Sequence, residues 1–62
     1  MIPLDPPNFS NWTTSRLKIL LEGYRSDLSS CRVLLGKNHE ETRTYGKWVE
    51  ALEHELGNRN AL

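Results

Sequence analysis

A few side chains in this chain have reactive or metal-ligating chemistry, and each stands without the partners that chemistry needs. His39-Glu40 opens like a zinc-protease helix, in which two histidines four positions apart hold the metal and the glutamate is the base. Arg43 stands where the second histidine would have to be. Glu50 and His54 are four apart and share a helix face. They supply two ligands, half of a zinc site, and no third lies near them in sequence; an exposed ion pair is the ordinary outcome of that spacing. Cys31 is the only cysteine and falls on an apolar seam, where a thiol behaves as a small hydrophobe. Ser29-Ser30 and Thr13-Thr14 have no adjacent base and orienting group. The four glycines fall singly, so no loop cradles a phosphate. We therefore expect no enzyme, no metal, no cofactor and no small-molecule substrate.

The remaining candidate chemistry is electrostatic. Lys18, Arg25 and Arg32 share one side of a helix at sevenfold spacing and could track a phosphate backbone. Eight basic and eight acidic residues nevertheless cancel, whereas a dedicated nucleic-acid binder carries a basic excess. Nucleic-acid association is therefore an alternative reading, and a solvated charged face is the first one.

The element that must position these side chains is a helix. Leu17, Leu21, Tyr24, Leu28, Cys31 and Leu35 recur at alternating spacings of four and three, the seam of a helix packed on another helix. The rhythm returns at Tyr45, Val49, Leu52 and Leu56. The spacing predicts a first helix over about 13–35, begun by Asn11, Thr13 or Thr14 as the cap. Gly36 would stop it in a left-handed cap. Asn38, followed three residues later by Glu41, would open a second helix over about 39–56 with a capping box, and Gly57-Asn58 would end it. Stop and start signals so close leave room only for an antiparallel return over 36–38. From Arg16 to Leu35 the net charge is +2 and from Lys37 to Leu56 it is −2, so the two helices attract.

The expected fold class is thus all-α. An extended Pro-rich arm (1–11) precedes a two-helix hairpin (12–57), and residues 58–62 read as a frayed tail. Pro3, Pro6 and Pro7 hold the arm out of helix, yet Ile2, Leu4, Phe9 and the neighbouring Trp12 are large and apolar. Either they fold back over the hairpin or they dock in a partner's groove. No apolar run is long enough to span a membrane, the first residues do not form a secretory signal, and a lone thiol fits a reducing compartment; the expectation is cytoplasmic.

Sixty-two residues build only a thin core. Leu20 and Leu34 flank the first seam, Trp48 flanks the second, and Ile19 and Val33 lie further round. A lone hairpin has nothing to bury these against, which marks an interface. Two hairpins pairing as a four-helix homodimer would cover it, as would another protein gripped through Trp48, with Phe9, Trp12, Leu20 and Leu34 around it. The expected function is a small protein-binding regulator, inhibitor or adaptor of the size found in phages and bacteria. A structural subunit of a larger assembly is a further alternative. Gly36-Lys37-Asn38-His39 between two short helices resembles the hairpin of the small sporulation-type aspartyl-phosphate phosphatases. The Ser-Gln-Glu-Leu-Asp signature that those carry on the second helix is absent, since Tyr45-Gly46-Lys47-Trp48-Val49-Glu50 stands there, and membership is not assigned.

Overall fold

Thr13 opens the first helix, α1 (Thr14–Leu34), in the computed structural model, which describes residues 3–62. Its backbone is extended and its Oγ1 accepts the Arg16 amide at 3.2 Å, satisfying one of the donors that a helix start leaves free. At the other end Gly36 adopts φ +88° and donates its amide to the Arg32 carbonyl at 3.2 Å. A side chain would be strained there, and the left-handed residue turns the backbone out of the helix.

The second helix, α2 (Glu40–Asn58), begins differently from the expected capping box. His39 is the cap: its Nδ1 accepts the Glu41 amide at 3.1 Å. The His39 amide closes a turn on the Gly36 carbonyl at 3.3 Å. Lys37 and Asn38 occupy the corners of that turn, so the first side chain to reach the helix amides is His39. Nor does Gly57 stop α2, which continues to Asn58. The left-handed residue is Asn60, at φ +56°. Its amide bonds the Gly57 carbonyl at 3.0 Å, and the Ala61 amide bonds that of Leu56 at 2.9 Å, the paired bonds of a Schellman end. The tail expected to fray is a closed helix end.

Among the described residues there is no strand, and α1 packs along α2. Leu17, Leu21 and Leu28 meet Val49, Leu52 and Leu56 in the core. Leu17, Leu52 and Leu56 are fully buried, each contributing roughly 2 kcal/mol by removal of apolar surface from water. Tyr24, Cys31 and Tyr45 are half-buried on the same seam. Leu35 leaves it: α1 has ended at Leu34, and the Leu35 side chain is exposed.

Residues 3–13 have no helix of their own and lie along α2 from the level of Trp48 to that of Arg59. The Trp48 indole donates Nε1–H to the Pro3 carbonyl at 2.8 Å, and Phe9 is buried against the core. Ile2 lies outside the described residues. All five aromatic residues of the chain join in one edge-to-face series. Trp12 meets Phe9 at 4.9 Å between ring centroids, Phe9 meets Trp48 at 5.7 Å, Trp48 meets Tyr24 at 5.4 Å, and Tyr24 meets Tyr45 at 5.5 Å. Such pairs add about 0.5–1.5 kcal/mol each beyond burial.

Arg59 ties this layer down. Its Nε donates to Glu55 Oε2 at 2.9 Å, Nη1 to the Trp12 carbonyl at 2.7 Å and Thr14 Oγ1 at 3.2 Å. Nη2 donates to the carbonyls of Phe9 at 3.0 Å and Ser10 at 3.1 Å. A guanidinium has five N–H donors, and all five are used. Lysine offers three donors from one point and cannot span these acceptors. Arg59→Lys is therefore expected to lose about 2 kcal/mol of unfolding free energy, measured as a lower urea midpoint, because half-buried carbonyls lose charge-assisted bonds. A midpoint unchanged from wild type would remove Arg59 from this role.

Candidate functional site

The apolar side chains that the hairpin leaves uncovered lie chiefly on α1. Its buried face looks at α2 through Leu17, Leu21 and Leu28. Advancing about 100° per residue carries Ile19 and Val33 to the far side of the helix and Leu34 to the flank. Ile19 is 72 % exposed, Val33 82 %, Leu34 79 % and Leu35 44 %. Ile19 and Val33 stand on one line about four turns apart, and Val33, Leu34 and Leu35 are consecutive at the turn end of the molecule. α2 starts only at Glu40, beyond a turn formed by small and polar residues, so no side chain of α2 folds back over them. Leu4 and Leu62 are exposed elsewhere.

This surface differs from the expected one. Of the five residues expected to meet a partner, the structure gathers Phe9, Trp12 and Trp48 into one aromatic cluster, with Leu20 packed against the core. Only Leu34 remains on the surface. Trp48 is thus not an open anchor: Phe9 and Tyr24 pack on its ring and its N–H is spent on Pro3. Ile19 and Val33, expected in the uncovered apolar remainder though not among the five contact residues, are both exposed. Their signal was present in the helical register, which put them opposite the seam.

Lys18, Arg25 and Arg32 are all exposed on one side of α1. Arg25 pairs with Glu53 of α2, the side chains being 51 % and 42 % exposed, a contact worth at most about 1 kcal/mol in solvent. Arg16 is turned inward along the surface, with its guanidinium carbon 4.4 Å from the centre of the Trp12 ring, a cation–π geometry. The positive side of α1 is therefore partly neutralised by the molecule itself.

Among the described residues, no three His, Cys, Asp or Glu side chains come close enough to hold a metal ion. Cys31 is half-buried. Two open hollows lie beside the helices, one bordered by Leu28, Arg32, Gly46 and Glu53, the other by Lys18, Leu21, Arg25 and Leu62. Both are partly open to solvent. No helix of the described residues is long and apolar enough to cross a membrane. Comparison with protein-family models, with curated proteins and with solved structures finds no match.

One ionisable group on the seam is perturbed. Burial raises the Tyr45 phenol above its ordinary value of 10.0, and the charges of Asp27, Cys31, Tyr24 and Glu41 add to the effect. The folded state thus favours the protonated phenol. The associated stability is fully present below pH 10.0 and is lost as pH rises through the higher folded value. In ultraviolet titration one tyrosine should ionise above the ordinary range, and Tyr45→Phe should remove that step and flatten the alkaline loss of stability. An unchanged titration in Tyr45→Phe would assign the step elsewhere.

Proposed function

We propose that this chain is a small non-enzymatic protein-binding module, a regulator or adaptor that works through the outward side of α1. The observation that carries the reading is the exposure of Val33, Leu34 and Leu35 in succession, with Ile19 on the line of Val33. Val33, Leu34 and Leu35 gather at the turn end of α1, and exposed apolar side chains brought together on a small protein favour a contact surface there. A standard interface takes about 800 Å² from each partner. The described residues present 4344 Å² in all, so such a contact would engage roughly a fifth of the molecule. A second copy is one occupant of this surface, giving the four-helix homodimer; a larger protein is the other. In both, residues 3–13 act as a Pro-rich covering arm that leaves α1 free by occupying the opposite requirement, the closure of the Trp48 side.

The test uses Leu34→Asp, a change at an exposed position that leaves the core intact. Sedimentation equilibrium over a wide concentration range should show association of the wild type and a single chain for the variant, with equal helicity by circular dichroism. If the wild type is a folded single chain throughout, the homodimer is excluded and the surface must be met by another protein. Any partner then identified should bind Leu34→Asp at least tenfold more weakly, the loss expected for a buried carboxylate at an apolar contact. Equal affinity for the variant would end the assignment of this surface.

A further inference from the structure

Histidine is not among the residues that ordinarily cap helices, yet His39 caps α2, and the way it does so depends on its protonation. The Glu41 amide is donated to Nδ1 at 3.1 Å. An imidazole nitrogen accepts a hydrogen bond only through a free lone pair, so this bond exists only while the ring is neutral with its proton on Nε2. Protonation puts an N–H on both nitrogens. The ring then has no acceptor to offer, the Glu41 amide is orphaned, and a positive charge stands at the positive end of the α2 dipole.

We propose that His39 is a proton-operated cap, which holds the start of α2 when neutral and releases it when charged. Glu40 and Glu41 occupy the first turn of α2, and their negative charge favours an imidazolium nearby. The other ionisable groups of this end are Lys37 and Arg43 beside His39 in sequence, and Cys31 and Arg32 in the last turn of α1. Proton uptake thus exchanges the acceptor of the Glu41 amide for a second N–H donor. The exchange happens in the short turn that joins the helices, where the His39 amide is held by the Gly36 carbonyl and the His39 carbonyl accepts the Arg43 amide at 3.0 Å. Side-chain caps built from Ser, Thr, Asn or Asp have no such response near neutrality, since imidazole alone changes charge there unperturbed. His39 is exposed, so protons reach it without any opening of the fold. The inference concerns the turn alone and does not depend on the binding surface proposed for α1.

The experiment is a nuclear magnetic resonance titration of the full chain from about pH 8 to pH 5.5, the range in which imidazoles change charge. The Glu41 amide and the His39 ring nitrogens are followed together. At the start the ring should show the neutral form protonated on Nε2 and the Glu41 amide should sit at a bonded shift. As the ring takes up its proton the bonded shift should be lost, with one midpoint shared by amide and ring. In His39→Asn, which keeps a capping oxygen and loses the titration, the Glu41 amide should hold its position over the same range. His54→Asn, altered on the same helix away from the cap, should reproduce the wild-type transition. A Glu41 amide that stays in place while the His39 ring titrates would overturn the proposal, and so would an equal amide movement in His39→Asn.

Discussion

A helical hairpin has two grooves and only one seam, and in this protein the second layer is held in place by a single guanidinium. Arg59 donates from Nε to Glu55, its i,i+4 neighbour on α2, and directs its Nη donors at groups distant in the chain: the carbonyls of Phe9, Ser10 and Trp12 and the Thr14 hydroxyl. Those carbonyls belong to a stretch without a hydrogen-bonded ladder of its own. The Phe9 carbonyl also accepts the Trp12 amide at 3.0 Å, but without Arg59 the half-buried Trp12 carbonyl would lose its charged partner and oppose the burial of Phe9 nearby. The apolar gain from Phe9 and the polar satisfaction supplied by Arg59 are therefore one event. Trp48 repeats the pattern further along α2, with its ring in the cluster and its N–H on the Pro3 carbonyl.

The hairpin itself was legible in the chain because its signals are local. Alternating spacings of four and three name the seam, Thr13 offers a capping hydroxyl, and Gly36 offers the backbone freedom that its φ of +88° requires. The larger differences have one origin, which is distance along the chain. Trp48 reads as a flanking residue when only two helices are considered, and becomes core once Phe9 arrives from 39 positions earlier. Arg59 reads as part of a tail because every acceptor of its Nη atoms lies in the first fourteen residues. His39 and Asn60 were missed for a milder reason. Each performs a capping task that another residue usually performs, and the neighbouring Asn38 and Gly57 offered the more familiar choice.

The same division explains why the outward side of α1 carries the functional reading. The arm, the aromatic series and Arg59 all serve the side that holds Trp48, and together they absorb most of the residues that first seemed available to a partner. What they leave is narrow and lies elsewhere: Ile19, Val33, Leu34 and the end of α1 at Leu35. The charged groups flanking α1 are mixed in sign, and Arg25 is already engaged by Glu53, so the recognition proposed there would rest on apolar contact more than on net charge.

The Arg59 contacts also bear on how the chain reaches its fold. The bonds to Phe9, Ser10 and Trp12 close across 50, 49 and 47 positions, whereas the turn between the helices closes across three. Local closures are fast, and distant ones must wait until the intervening chain is already shortened. Pairing of α1 with α2 brings Arg59 back beside Thr14, so the hairpin prepares the short loop through which residues 9–12 then dock. Such separations make Arg59 a contact expected to form late. Its loss would leave the folding rate nearly unchanged and would appear almost wholly as faster unfolding.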